Sequence, residues 1–295
     1  MKIYIDCIPC FTRQALDSAK LVTDDEIIQE QVVRYVLMML ADLDMSQNPP
    51  AIGQKIHRLI RKLIDNDDPY YELKKKFNNL AVRICHDLKE NIQTSEDPLE
   101  TAFRLAIAGN IIDLGVKTSI AESDIEKIIT NCLTADFDKS HFKDFKDSIN
   151  RAERILYITD NAGEIIFDKL LIEQLPMKKV TVAVRGKPVI NDATMEDAEF
   201  AGLTEIVNVI DNGSDAPGTI LEDCFQDFRD CFEKADLIIA KGQGNYETLS
   251  EVNKKIFFLL KVKCPVIARN IGCEVGEMIL QKSTTHEGEK ENARI

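Results

Sequence analysis

The stretch Leu156-Tyr157-Ile158-Thr159-Asp160-Asn161-Ala162-Gly163-Glu164 decides how the chain is read, because an apolar strand stops abruptly in an acid, an amide, a glycine and a second acid. Two adjacent oxygen donors, Asp160 and Asn161, stand at the carboxyl end of the strand. A helical pattern, Ile165-Ile166-Phe167-Asp168-Lys169-Leu170-Leu171, follows directly. Ligands of open α/β sheets bind at that end of the strands, and the start of the following helix favours anions. Gly163 reads as the residue that lets the backbone come close to a ligand. The competing reading is that Asp160 and Asn161 only cap the helix, which both residue types do well.

Two further strand ends of the same kind argue for one site. Val180-Thr181-Val182-Ala183-Val184 is apolar and β-branched, as a buried parallel strand should be. It runs into Arg185-Gly186-Lys187-Pro188-Val189-Ile190-Asn191-Asp192-Ala193-Thr194. Leu237-Ile238-Ile239-Ala240 runs into Lys241-Gly242-Gln243-Gly244-Asn245-Tyr246-Glu247. Asp160, Asn161 and Asp192 offer only oxygen and none of these segments holds a histidine, which suits Mg²⁺, Mn²⁺ or Ca²⁺ better than zinc. Arg185, Lys187 and Lys241 bring positive charge, and the amides of Gly242 and Gly244 are candidates to line an anion-binding concavity. A divalent cation, a lysine and a nest of amides together are what a phosphoryl group needs in its transition state. The Gly242–Gly244 pair is not a dinucleotide fingerprint, since Tyr246 and Glu247 stand where that pattern runs on to its third glycine.

These motifs resemble a known family. Asp160-Asn161-Ala162-Gly163-Glu164, the run Gly186-Lys187-Pro188 with Asn191-Asp192-Ala193-Thr194, and Lys241-Gly242-Gln243-Gly244-Asn245-Tyr246-Glu247 are similar to the metal-dependent damage-control phosphatases, long called domain of unknown function eighty-nine. The resemblance reaches Ala108-Gly109-Asn110-Ile111-Ile112-Asp113-Leu114-Gly115 in the amino-terminal half, so it spans essentially the whole chain. Cys7-Ile8-Pro9-Cys10 is similar to the stand-alone microbial branch.

The resemblance implies a helical amino-terminal part, an α/β/α carboxy-terminal part and a divalent-metal phosphatase acting on small phosphorylated metabolites, either sugar phosphates or damaged phosphorylated cofactors. Asp160, Asn161 and Asp192 match its metal ligands, and Glu164, Lys241 and Asn245 match positions around the substrate phosphate. The expected cofactor is a divalent metal ion, Mn²⁺, Mg²⁺, Co²⁺ or Ni²⁺. The eukaryotic branch carries an Arg-Thr-x-Lys motif near its end. Ala268-Arg269-Asn270-Ile271-Gly272 stands in that region here, so its substrate range is not carried over.

Asp160 and Lys241 are the candidate catalytic residues. Asp160 either attacks to give an aspartyl-phosphate or positions a metal-bound water, and Lys241 neutralises charge. Glu164, Asn110, Asp113, Arg185, Gly242 and Asn245 are the candidate substrate residues. The alternatives are a Rossmann-like methyltransferase and a non-catalytic metabolite binder. The methyltransferase would want a glycine-rich turn after the first strand and an acid ending the second, where Asp160-Asn161 and Arg185 stand.

Composition narrows the class. A net charge of −13 over 295 residues argues against nucleic acid, since phosphate contacts need a basic face. No apolar run approaches the roughly 20 residues that cross a bilayer, so no membrane partner is expected. The amino terminus does not read as a signal peptide, and a cytoplasmic protein is expected. Oligomeric state is left open. The eight scattered cysteines read as reduced and mostly buried thiols. Cys7-x-x-Cys10 is the exception in spacing, a redox pair or half of a metal site, although Cys264 and Cys273 could join it only through tertiary structure. His57, His86, His141 and His286 sit singly, without ligand-spaced partners.

The halves of the chain differ in period. Residues 1–150 repeat apolar positions at three- and four-residue spacing and are expected to form a helical domain. Residues 151–282 alternate strands with helices, which implies a three-layer α/β/α, Rossmann-like and mostly parallel sheet that binds metal and phosphate. Strands are expected at 155–159, 180–184, 205–209, 237–240 and 266–268. Residues 283–295 are polar and are expected to be a disordered tail. In the apolar helix running from Phe103 to Leu114, Asn110 and Asp113 share a face. They need partners, supplied either by a cleft between the halves or by an internal polar network.

Overall fold

The computed structural model describes residues 1–111, 129–134, 139 and 141–283. Asp113 and the expected tail beyond residue 283 lie outside the described residues.

The quoted stretch begins a strand, Ile155–Ile158 (β1), buried at every position. Its side chains alternate between two cores, Ile155 and Tyr157 entering one and Leu156 and Ile158 the other. A strand covered on both faces must be apolar throughout, which explains its unbroken hydrophobic sequence. The other strands are Val180–Val184 (β2), Asn208–Asp211 (β3), Leu237–Lys241 (β4), Ile256–Lys261 (β5) and Met278–Lys282 (β6). Their order is β3-β2-β1-β4-β5-β6. β1 to β5 run parallel, and β6 closes the far edge antiparallel to β5. The winding reverses between β1 and β4, which opens a crevice at their carboxyl ends. Ile158 lies level with both Ala183 and Ala240, so Asp160, Arg185 and Lys241 leave three neighbouring strands at nearly one height.

Three amino-terminal helices, Cys7–Val22 (α1), Glu26–Ala41 (α2) and Pro49–Ile64 (α3), build a core of their own around Phe11, Val36, Ile52 and Ile56. Each fully buried residue of that kind contributes roughly 1.5–3 kcal/mol. Asp25 starts α2 by accepting from the amides of Ile27 and Ile28, and Asn48 starts α3 by accepting from Ala51 N at 3.0 Å. Pro49 and Pro50 therefore open a helix rather than fill a loop, because proline is preorganised for the first helical turn.

The next helices, Tyr71–Thr94 (α4), Pro98–Ala108 (α5), Phe142–Arg151 (α6), Glu164–Ile172 (α7) and Met195–Phe200 (α8), share one core with the sheet. Phe145 meets Phe257 of β5 edge-on at 5.3 Å between ring centroids. The buried core is thus continuous across residue 150. Gln226–Lys234 (α9), Gly242–Leu249 (α10) and Pro265–Ile271 (α11) cover the opposite face through Phe228, Phe232, Leu249 and Ile267. The result is an α/β/α sandwich with a mostly parallel six-stranded sheet. No helix among the described residues is long and apolar enough to cross a membrane.

Three strand assignments shift. The expected strand at 266–268 is helix α11, which Pro265 starts at its first turn. The fifth strand is the apolar run Ile256–Lys261, separated by fourteen residues, α10 among them, from the end of β4. The third strand begins at Asn208, since 205–207 belong to the turn that brings the chain to the sheet edge. Ser283, placed in the expected tail, is buried instead, donating its hydroxyl to Lys254 O at 2.6 Å and accepting from Ile256 N.

Candidate active site

Backbone pairing assembles the site before any side chain acts. Ala193 N donates to Asp160 O and Ala162 N to Asn191 O, each at 2.8 Å. These bonds join the turn after β1 to the loop after β2 and set Asn161 against Asp192 in an antiparallel bridge. β4 closes the third side. Gly242 has φ +79°, and a Cβ there would lie 2.0 Å from Asp160 Oδ2. The Asp160 carboxylate rests directly on this glycine, and no other residue fits.

Asp160 and Asn161 do not cap α7. Gly163 stands at its N-cap without any side-chain cap bond. The Asn161 amide instead donates to Asp160 Oδ2 at 2.7 Å and Glu164 Oε2 at 3.0 Å. The reading of Gly163 as a ligand approach is corrected: at φ +75° its missing side chain makes room for Phe77 of α4, and its N–H donates to Asn78 Oδ1.

Asn110, just beyond α5, reaches the same carboxylates, donating to Glu164 Oε2 at 2.6 Å and Asp160 Oδ2 at 3.2 Å. The helical layer therefore closes one wall of the cluster. Glu164 is buried and also accepts from Lys241 Nζ at 2.7 Å. Burial, then the negative charges of Glu164 and Asp192, push the Asp160 carboxyl well above the usual range, with Lys263 and Arg185 pulling the other way.

The Lys241 ammonium, expected beside the substrate phosphate, faces protein groups on every side shown by its hydrogen bonds. It is fully buried and donates to Ala106 O at 2.9 Å, Glu164 and Asp168. Burial alone would depress it, but the carboxylates of Asp168 and Glu164 overcome that and hold it above its ordinary value. Asp168, which also accepts from Tyr157 Oη at 2.8 Å, is pushed up to about 7 by burial against the pull of Lys241. Lys241 thus fixes Glu164 from behind.

Arg185 is enclosed in the same way. Its guanidinium is buried between strand ends, donating to Asp192 Oδ2 at 2.7 Å, Thr219 Oγ1 at 3.2 Å and Asn245 Oδ1 at 3.2 Å. It orients Asp192. Asn245 is equally enclosed, its amide donating to Lys241 O at 2.7 Å and Thr159 O at 3.1 Å. It ties β1 to β4 across the crevice. Gly244 lies under Pro217, whose carbonyl would be 2.2 Å from a Cβ there. α3 holds that loop in place, with Arg58, Arg61 and Gln54 all donating to Asp215. The arginines keep the Asp215 carboxyl low, at about 2, against its burial.

Three residues of this constellation escaped the sequence reading: Asp168, Thr219 and Lys263. Asp168 did carry a signal, an acid four residues after Glu164 within Ile165-Ile166-Phe167 and Leu170-Leu171. Lys263 is exposed beside the crevice just beyond β5, and its charge reaches Asp160. It was missed because β5 was not recognised.

Among the described residues, no three acid, thiol or imidazole side chains converge tightly enough as they stand to hold an ion. The donor set nevertheless fits a hard divalent cation. Beyond burial, Glu164 and Asp192 both raise the cost of charging Asp160. The buried Asn110 Oδ1 has no hydrogen-bond partner among the described residues. Crowded carboxylates and a spare amide oxygen are relieved by a cation with oxygen preference.

Residues 3–279 match the family model described as the damage-control phosphatase ARMT1-like domain. The chain is 38% identical to a damage-control phosphatase of Pyrococcus horikoshii, over 96% of this chain and 99% of that one. It is 37% identical to a damage-control phosphatase of Archaeoglobus fulgidus, over 95% and 98%. An uncharacterised protein of Methanocaldococcus jannaschii is 41% identical over 96% of each chain. The crystal structure of a DUF89-family protein from Pyrococcus horikoshii superposes with a TM-score of 0.87 at 36% identity, covering 96% of this chain and all of the other.

Proposed function

Because the chain belongs to the damage-control phosphatase ARMT1-like family, we propose that it is a divalent-metal-dependent phosphatase of small phosphorylated metabolites. The observation that carries this reading is the gathering of Asp160, Asn161 and Asp192 at the carboxyl ends of β1 and β2, over the first turn of α10. Asp160, Asn161 and Asp192 would hold the ion, as Mn²⁺, Mg²⁺, Co²⁺ or Ni²⁺. Once bound, it would supply Lewis acidity toward a phosphate oxygen.

The chain's own residues do the rest. Asn110 and Asn161 donate to the carboxylates of Asp160 and Glu164 and hold them in one orientation. Lys241 and Asp168 lock Glu164 behind, and Arg185 locks Asp192. Lys263, exposed beside the crevice and near enough for its charge to act on Asp160, replaces Lys241 as the cation that meets the substrate, since the Lys241 ammonium is buried against Glu164 and Asp168. Asp160 acts either as nucleophile or as the group that positions water.

Incubating the full chain with a panel of phosphate esters, with and without divalent cation, tests this reading. Release of inorganic phosphate from some esters only when cation is present supports it. Methyl transfer from a sulfonium methyl donor with no phosphate release would overturn it.

A further inference from the structure

The loop that carries Asp192, residues 185–194, contains a strained residue. Ile190 has φ +47°, a left-handed conformation that a β-branched side chain rarely adopts. Such strain persists only where the surrounding contacts hold it. Some of those contacts come from neighbouring strand ends. Asp192 N donates to Val189 O at 3.0 Å, and Ala162 N donates to Asn191 O at 2.8 Å. Gly186 N and Lys187 N donate to Ser214 O at 3.1 and 3.2 Å, lacing this loop to the one after β3. A further contact comes from far away in the chain, where Arg61 Nη1 donates to Pro188 O at 2.6 Å.

Arg61 belongs to α3, on which Gln54, Arg58 and Arg61 follow at four- and three-residue spacing and so share a face. That face meets the buried Asp215, which accepts from Gln54 Nε2 at 2.7 Å, Arg58 Nη2 at 2.5 Å and Arg61 Nη2. Arg58 directs both its Nε and its Nη2 at Asp215. Arg61 instead divides its fork, with one Nη on Asp215 and the other on Pro188 O. A planar guanidinium holds two donors in fixed geometry, so it can bolt two loops together. The helix that carries it is fixed by Ile52, Ile56 and Ile60 in the amino-terminal core. Resting on the metal-dependent reading above, we propose that Arg61 is a positioning residue for the metal site: by bridging Asp215 and Pro188 O it holds the strained turn at Ile190 and so the place of Asp192. Arg185 orients the Asp192 carboxylate, and Arg61 fixes the backbone from which that carboxylate projects. Asp215 is held low, at about 2, so the bridge stays charged through the neutral range. Without Arg61, Ile190 can relax toward negative φ and carry Asp192, two residues on, out of place.

Two measurements on the full chain test this without turnover. In chelator-treated protein, Arg61→Met should speed amide hydrogen exchange across residues 186–194 about tenfold or more, while β1 and β4 exchange as in wild type. Mn²⁺ binding, followed by the electron paramagnetic resonance of the free ion, should weaken about tenfold or more, as when partners outside the ligand set are lost. Arg58→Met takes charge from the same Asp215 but leaves Pro188 O bonded, so its Mn²⁺ affinity should stay within about threefold of wild type. Arg61→Lys keeps the charge without the fork and should weaken Mn²⁺ nearly as much as Arg61→Met. Adding Ile190→Gly to Arg61→Met should recover most of the lost affinity, since glycine enters the left-handed region freely. If Arg61→Met does not fold, Arg61→Lys decides alone. Unchanged loop exchange in Arg61→Met, wild-type Mn²⁺ affinity in Arg61→Lys, an equal loss in Arg58→Met, or no recovery with Ile190→Gly overturns the proposal. A wild type that binds no Mn²⁺ contradicts the metal reading instead, and loop exchange then decides whether Arg61 clamps the strained turn.

Discussion

Lys241→Met separates the two roles that a lysine at this strand end can play. The ammonium pairs with both Glu164 and Asp168, and all three groups are buried. Methionine fills the space but leaves two carboxylates without their cation. Removing one partner of a buried ion pair costs about 3–5 kcal/mol. For a domain of this size each kcal/mol moves the midpoint by roughly 2–4 °C, so a fall of roughly 6–20 °C is expected. The loss should also depend on pH. Asp168, raised from 3.8 to about 7, binds its proton more tightly folded than unfolded. It therefore lowers stability progressively as pH rises between those values. Without Lys241 the carboxyl rises further, so the variant's deficit should be larger at pH 8 than at pH 5.5, where protonation relieves the bare acids. Circular-dichroism melts of both proteins at the two pH values measure this. A variant that melts with wild type at both pH values, while losing inhibition by phosphate, would refute the positioning role and return Lys241 to the substrate.

Other substitutions probe single contacts. Lys263→Met should weaken inhibition by inorganic phosphate about tenfold or more, the worth of a charge-assisted contact of roughly 1.5–3 kcal/mol, with an unchanged melt; unchanged inhibition would remove Lys263 from the site. Gly242→Ala places a Cβ against the Asp160 carboxylate at 2.0 Å and forces a left-handed alanine, so turnover should fall and the fold lose about 1–3 kcal/mol. Wild-type activity in that variant would show that Asp160 is not held there. Asn110→Ala should weaken the metal about tenfold or more, since Asn110 donates to Asp160 and Glu164, and should also change relative rates across a phosphate-ester panel at saturating metal; a uniform loss across all esters would count against a role in substrate choice.

The parts of the fold and site legible in the sequence were those set by local pattern. Unbroken apolar runs ending in Asp160, Arg185 and Lys241 located three central strands and their shared height, because a doubly covered strand has no polar face to obscure it. Asn110 was legible as a polar residue on an apolar helix that had to find partners, and it finds them at Asp160 and Glu164. What pattern could not give was direction. Lys241 and Arg185 sit at strand ends in the sequence much as an exposed ligand would, yet each turns inward to neutralise an acid supplied by a distant segment. The edge of the sheet was also obscure. Ile256–Lys261 follows a short helix and a lysine pair, and Pro265-Val266-Ile267-Ala268 is as apolar as a strand until proline's preference for a helix start is weighed. Missing that strand concealed Lys263.

The central claim is that the oxygen donors at the strand ends hold a divalent ion needed for phosphate-ester hydrolysis. Its most direct test is phosphate release by chelator-treated protein before and after Mn²⁺ is restored, for wild type and for Asp160→Ala and Asp192→Ala variants with wild-type circular dichroism. Wild type should be inactive when stripped and recover with Mn²⁺, and neither variant should recover. Full activity in the stripped wild type, or Mn²⁺-restored activity in both variants, would contradict the account.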